Sequence, residues 1–351
     1  MTAAPLPAVR ALFQQRVAGD DALLRLAALR FAQAGLAAEL YADTPEQLER
    51  LLGFAAARPW PPVVHLNRGV NLLAERDRAL VEAFAARFAG RVWGLVVHDR
   101  AEMAARADEL VAALEALSAR LERQRDGPLL LLEYAAGLEL DWFAELAARL
   151  GRAERVSVCV DTGHVGIRQA QVAFAREHPG LDVTALVAGD PRLPELADAV
   201  QAAVATALPA VRRLTRALAP PGKPVHFHLH DGHPVVAGLA DHFSFLTRVP
   251  VPFEHRGRRS LDPLYGPAGL AAIVTTAVEA LGPQGASLTL EIHQAEGRLP
   301  LGDAAGLFRH WRDTTNAERM NYWLGVLADN HLLVRSALRP PPGSGVSATS
   351  G

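Results

Sequence analysis

The chain has 351 residues, a formal net charge of −2, 50% hydrophobic residues and 21% charged residues. This composition supports a sizeable core in one large domain or two ordinary ones and excludes global disorder. It counts against an affinity built on neutralising phosphates, hence against a nucleic-acid partner, and no run approaches the about 18 apolar residues of a membrane span.

The opening stretch, MTAAPLPAVRALFQQR, lacks the apolar core of a signal peptide, so a cytoplasmic protein is expected. Cys159 is the single cysteine, which rules out an intrachain disulfide and a Cys-rich zinc site. Of the 36 basic residues only Lys223 is a lysine. Arginine does not deprotonate readily, so among side chains Schiff-base chemistry has one candidate.

In chain order, the first thirty or so residues read as helical and are expected to pack outside the core fold. Short apolar, β-rich runs then alternate with long Ala/Leu/Arg helices. The runs are GLAAELYA (35–42), PPVVHL (61–66), VWGLVVH (92–98), LLLLEY (129–134), RVSVCVD (155–161), PVHFHLHD (224–231), a weaker HFSFLTRV (242–249) and ASLTLEIH (286–293). Runs with little polar alternation suit strands buried on both faces. Thr44-Pro45-Glu46-Gln47 is a capping box with proline at the first helical position. The stretches 101–124 and 193–218 read as amphipathic helices, and 316–338 also reads as helical.

Strand then helix, repeated over eight candidate strands, predicts a closed (β/α)8 TIM barrel with extra N- and C-terminal helices. The doubly wound alternative would show a Gly-rich phosphate turn, and neither GxGxxG nor GxxxxGK[ST] occurs. One domain is expected over 1–338, with the barrel core at about 35–300. The last residues, 339–351, RPPPGSGVSATSG, read as a disordered tail.

The apolar runs end in a consistent way. At or near their C-terminal ends stand His65, His98, Glu133, Asp161, His228 with Asp231, and Glu291, all metal-ligand or proton-transfer types. The spacings from His65 to His98, His98 to Glu133 and Glu133 to Asp161 are about thirty residues, one β/α unit each, the interval from Asp161 to His228 is about twice that, and a barrel brings its strand C-termini to one face. A carboxylate closing a buried strand is costly unless paired or metal-bound. Ion pairs with the many arginines are the competing explanation.

At these residues the chain resembles the xylose-isomerase-like TIM barrels, a superfamily of sugar isomerases and epimerases, dehydratases and repair nucleases of the endonuclease IV type. VCVDTGH (158–164) is similar to the family's D-T-x-H, and His228-Leu229-His230-Asp231 to its H-x-x-D. Glu133 and Glu291 match its glutamates on the fourth and eighth strands. His65 and His98 stand where several members carry histidines. The resemblance implies that Glu133, Asp161, His228 and Glu291 ligate one divalent ion, Mn²⁺, Mg²⁺, Co²⁺ or Zn²⁺. It implies that Glu133 and Glu291 act as acid and base and that His164 faces the substrate. Asp231 would orient His228, and His65 and His98 would touch substrate or support the ligands.

The expected activity is that of a metal-dependent isomerase or epimerase on a sugar-like small molecule, moving a proton next to a carbonyl. A dehydratase begins with the same step. The alternative from another class is a metal-dependent phosphodiesterase of the endonuclease IV type, which the extra histidines His65 and His98 favour. A non-catalytic ligand-binding barrel would be expected to have lost ligands. A homo-oligomer stays open.

The chain departs from the family pattern in two insertions expected at the active face, 177–197 and 248–263, either lids or surface elaborations. Arg256, Arg258 and Arg259 could clamp an anion or form a solvated loop. Lys223, ahead of its strand, is expected at the face opposite the site. His226 is expected inside the barrel below the site, and His230 to point elsewhere unless its strand has ended. His233 and His293 are possible neighbours of the site.

Overall fold

Eight parallel strands close into a barrel in the computed structural model, which describes residues 6–13, 20–55, 60–186, 190–235, 242–246, 254–255, 258–259, 261–292 and 316–338. The strands are β1 (Ala8–Leu12), β2 (Ala37–Tyr41), β3 (Val63–His65), β4 (Gly94–His98), β5 (Leu129–Tyr134), β6 (Val156–Asp161), β7 (Val225–Leu229) and β8 (Ala286–Leu290). Each pairs with its neighbour in sequence, and β1 closes on β8 with Val9 opposite Leu288. The fold is a (β/α)8 TIM barrel.

Two strand assignments change. Ala8–Leu12 is the first barrel strand, not part of an outer helix, so the core begins there and the next six strands each move up one place, while Ala286–Leu290 stays eighth. The segment misleads because Arg10 reads as a solvent-facing residue. It is fully buried instead, with Nη1 donating to Ser287 Oγ at 2.6 Å, Nε to the Pro61 carbonyl at 3.0 Å, and the guanidinium 5.0 Å from the Trp93 ring centre. Conversely, the described part of 242–249 forms no strand, only one antiparallel bridge between Phe243 and Asp231.

The helices follow their end signals. Asp20 accepts from the backbone N–H of Ala22 and Leu23 to start α1 (Asp21–Ala34), and Gly35 at φ 65° ends it, a conformation costly for residues with a Cβ. Thr44 caps α2 (Pro45–Leu52). After α3 (Glu75–Arg87), two expected long helices are each divided. The first becomes α4 (Glu102–Ala105) and α5 (Ala107–Glu122), broken at Arg106. After α6 (Leu140–Arg149) and α7 (Thr162–Glu177), the second becomes α8 (Leu193–Val204) and α9 (Ala207–Ala217). The Pro209 ring crowds the carbonyl four residues back, at Ala205, and offers it no N–H, so the chain breaks there. The last helices are α10 (Gly266–Leu281) and α11 (Asn316–Ala337).

Alternation along the strands builds two cores. On β5, Leu130, Leu132 and Tyr134 face the helices in the main hydrophobic cluster. Leu131 points inward with Val63, Val96 and Cys159. At roughly 1.5–3 kcal/mol per fully buried large aliphatic side chain, this outer layer dominates the favourable side of folding. The first insertion, with Val183, Leu186 and Leu193, joins Ile167 and Phe174 of α7 and Leu261 and Leu264 in a separate outer cluster. The second insertion contributes a two-residue ladder, Glu254–His255 against Arg258–Arg259. Arg256, His293 and the expected tail 339–351 lie outside the described residues. No helix among the described residues is long and apolar enough to cross a membrane.

Candidate metal centre

The same alternation carries the site. Residues two apart on a strand share a face, so the residue two beyond each inward-facing position rises into the rim. Val63 leads to His65, Val96 to His98, Leu131 to Glu133, Cys159 to Asp161, His226 to His228 and Glu39 to Tyr41. Thr289 likewise leads to Glu291, just past β8. Pairing register sets His98 opposite Glu133 and Asp161 opposite His228.

Glu133, Asp161, His228 and Glu291 are all buried, and each offers a ligand atom within 4.8 Å of the others. His228 Nδ1 lies 3.2 Å from Glu133 Oε1 and 3.1 Å from Glu291 Oε2. Four further groups of ligand atoms, within the same 4.8 Å, overlap this one among the described residues: His65, His98 and Glu133; Asp161, His230, His242 and Glu291; His65, His228 and Glu291; and Cys159, His226 and His228. The other Glu133 oxygen, Oε2, meets His65 Nε2 at 2.8 Å and His98 Nε2 at 3.2 Å. Asp161 Oδ1 caps α7 through the His164 N–H at 2.8 Å and lies 2.7 Å from His230 Nε2.

The donor chemistry fits a divalent cation. Three carboxylates crowded into a buried space need positive charge, and Asp161 Oδ2 is buried without a hydrogen bond. In the bare chain the imidazoles supply that charge. Burial alone would raise the Glu133 carboxyl; His228, His65 and His98 outweigh it and hold it well below its usual range. Burial alone would discharge His228; the carboxylates of Glu39, Glu291 and Glu133 outweigh it, so its pKa rises. By the same balance Glu133 raises His65, and Asp161 raises His230 to about 9. Buried His/Asp/Glu clusters of this kind could bind a divalent metal in place of those protons.

The sequence-predicted residues do not all gather in the expected way. His65 and His98 join the cluster through Glu133. His164 stands at its edge, Nε2 3.4 Å from Asp161 Oδ2 and Nδ1 buried without a hydrogen bond. Asp231, expected to orient His228, instead accepts from the backbone N–H groups of Gly232, Tyr265 and Gly266 at 2.8, 3.1 and 2.8 Å and shapes the loop after β7. Burial pushes the Asp231 carboxyl up to about 6. Lys223 donates to the carbonyls of Leu150, Ala153 and Val156, at the strand N-termini away from the site. Cys159 is buried, and burial pushes its thiol up.

His230 meets the condition set for it in the sequence, since β7 ends at Leu229, one residue earlier. Several other residues at the site escaped the sequence reading. His242 stacks on His230 with ring centres 4.1 Å apart. Its loop is fixed by the Asp231–Phe243 bridge and by Asn330 of α11, which contacts Phe245 and Ser244. Tyr41 donates to Glu291 Oε1 at 2.5 Å and stacks on His65. Beneath the rim, Glu39 lies 2.8 Å from His228 Nε2 and 3.0 Å from His226 Nε2. Burial opposes the charge on Glu39, but the two imidazoles hold its carboxyl well below the usual range. A glutamate inside the apolar run AAELY was the available signal for it.

No family model and no curated protein matches this chain. Solved structures similar to it include the crystal structure of AsfvAP:AG, at 15% identity and a TM-score of 0.47 over 95% of this chain and 100% of the other. A point mutant of xylanase A from P. fluorescens subsp. cellulosa, in complex with xylopentaose, aligns at 12% identity and TM-score 0.44 over 85% of this chain and 91% of that one. A variant of the carboxyl transferase domain of Rhizobium etli pyruvate carboxylase, with pyruvate, aligns at 14% identity and TM-score 0.40, over 97% of this chain but 50% of its own length. At these identities and scores the likenesses add nothing to what the closure of the sheet establishes.

Proposed function

We propose that this barrel is a divalent-metal-dependent phosphoester hydrolase with more than one ion in its site. This is the endonuclease IV-like alternative within the xylose-isomerase-like resemblance, here directed at a small, sugar-like phosphate ester rather than a polynucleotide. One observation carries it. The two oxygens of Glu133 are turned to different imidazoles, Oε2 to His65 and His98 and Oε1 to His228. Glu133 could then hold a cation with His65 and His98 on one side and with His228 on the other. Asp161 is likewise shared between two of the ligand groups, and Glu291 among three. Bound cations would supply Lewis acidity at a phosphoryl oxygen and charge for the leaving oxygen.

The chain's own residues divide the remaining work. Water attacks phosphorus, the P–O bond to the alcohol breaks, and the water proton passes to a base at the rim. His164, at the edge of the cluster beside Asp161, has the position for that base. Tyr41 orients Glu291 by hydrogen bond and His65 by stacking. The net charge of −2 gives a polynucleotide little purchase.

A sugar isomerase or epimerase is the second reading. Its supporting observation is that Glu133 and Glu291 flank one point, His228 Nδ1, at 3.2 and 3.1 Å, as an acid/base pair would flank one carbon. Elemental analysis joined to assays on p-nitrophenyl phosphate and its bis-ester tests the proposal. Two or more ions per chain with nitrophenol release is the expected result. One ion, no release, and solvent-deuterium exchange into a ketose would overturn it in favour of the isomerase.

A further inference from the structure

The last helix, α11, braces the candidate centre at two points about two turns apart. Buried Trp323 donates from Nε1 to the Ile292 carbonyl at 2.8 Å, and buried Asn330 grips the loop that carries His242. Ile292 follows Glu291, so one helix reaches both the Glu291 arm and the His242 arm of the Asp161–His230–His242–Glu291 group. We infer that Asn330 is a positioning residue for the cation of that group, acting through the loop of His242. That cation is then held only as tightly as α11 holds the loop, unlike the cation of His65, His98 and Glu133. The inference rests on the reading of more than one ion in the site.

The two groups differ in how the chain carries them. His65, His98 and Glu133 stand on the adjacent strands β3, β4 and β5, with His65 opposite Val96 and His98 opposite Glu133. Backbone register sets their spacing. In the second group Asp161 closes β6, and His230 and Glu291 follow directly on β7 and β8. His242 alone comes from a loop. Ligands on strands are placed more precisely than ligands on loops, and a site must be held within about 0.5 Å of its working geometry.

Two devices hold that loop. Beside His242, Phe243 exchanges backbone hydrogen bonds with Asp231, at 2.9 and 3.1 Å. The Asn330 amide clamps the residues that follow. Its Oδ1 accepts from the Phe245 N–H at 3.3 Å, and its Nδ2 donates to Ser244 Oγ at 2.7 Å and to the Val326 carbonyl at 2.8 Å. An inverted amide would set donor against donor at Phe245 and acceptor against acceptor at Val326, so its orientation is determined. One paired bridge leaves a chain free to pivot about it, and the amide is the second point that stops the pivot. His242 is thereby held with its ring centre 4.1 Å from that of His230 and its Nε2 3.7 Å from Glu291 Oε2. Phe245 also packs on Tyr265, with ring centres 6.2 Å apart, so losing the amide shifts the loop without releasing it. Removing a support of this kind typically weakens metal binding about 10–100-fold.

Anomalous diffraction from Zn²⁺-soaked crystals of the full chain locates each ion, and Zn²⁺ titration calorimetry reads each affinity. The parent is expected to hold at least two ions, one in each group. In Asn330→Ala the ion at His65, His98 and Glu133 keeps its parental affinity, and the ion of the His242 group binds about 10–100-fold more weakly. Ser244→Ala is expected to weaken the same ion, and Ser244→Thr, which keeps the hydroxyl, to restore it. That pair decides the matter if Asn330→Ala fails to fold. Val334→Ala, at a buried position on the same helix, should lower the thermal midpoint and leave both affinities alone, which separates positioning from stability. Two ions in the parent, with the second bound at parental affinity in Asn330→Ala or, where that variant does not fold, in Ser244→Ala, would overturn the inference alone. So would Val334→Ala losing that ion as Asn330→Ala does. A parent that holds fewer than two ions would sink the multi-ion reading and the inference with it.

Discussion

His98 Nε2 lies 3.1 Å from His65 Nε2, and both face one oxygen of Glu133. Two ring nitrogens this close repel unless a proton or a cation lies between them. Replacing His98 with alanine is expected to remove about one equivalent of bound metal while the group around His228 keeps its own. Mass-spectrometric metal counting on protein dialysed against Zn²⁺ checks this, and unchanged stoichiometry would refute it.

Glu133 serves both ligand groups, so Glu133→Gln should empty both. Unlike the His98 variant, it is expected to lose at least about 100-fold in metal affinity and all measurable turnover. It also leaves buried imidazolium groups without their counter-charge, a loss of about 3–5 kcal/mol for a broken buried pair. Urea denaturation of the metal-free variant beside the parent measures that cost. Glu133→Gln with parental stability and full activity is the refuting result.

Gly163 is where the D-T-G-H segment passes under His230. A Cβ there would come within 1.8 Å of His230 Cε1. The imidazole cannot yield without leaving Asp161. Gly163→Ala is therefore expected to cost about 1–3 kcal/mol by overpacking and to displace His230, weakening the Asp161–His230–His242–Glu291 group first. A crystal structure of the variant, with its thermal midpoint, tests both halves.

Far from the site, burial on α11 lowers the His331 pKa to about 4, with Arg335 adding to the effect. Its ordinary value is 6.5. Between those values the unfolded chain binds a proton that the folded chain refuses. The contribution is therefore intact above the unfolded value and is lost as pH falls toward 4. His331→Gln should flatten the decline between pH 7 and 5 by up to about 2 kcal/mol. Urea midpoints at the two pH values supply the measurement, and parallel declines in variant and parent would contradict it.

Seven of the eight barrel strands were legible as apolar runs, because strands buried on both faces must be apolar almost throughout. The rim residues His65, His98, Glu133, Asp161, His228 and Glu291 were legible for the complementary reason. A charged or imidazole group closing such a run has nowhere to go but the mouth of the barrel. β1 was not legible. Arg10 makes its five residues resemble a helix face, and only the distant Ser287, Pro61 and Trp93 show how the guanidinium is accommodated. Glu39 was hidden in the same way, its charge balanced by histidines nearly two hundred positions later.

Strand periodicity and residue type alone thus determined that this chain closes a barrel and gathers acidic and imidazole groups at one rim. Tertiary structure decided which of them meet, that Asp231 turns to backbone amides, and that His230 and His242 enter. A local pattern fixes which face a side chain takes, but the distance between two side chains depends on closure, on register and on loops pinned by elements as remote as α11.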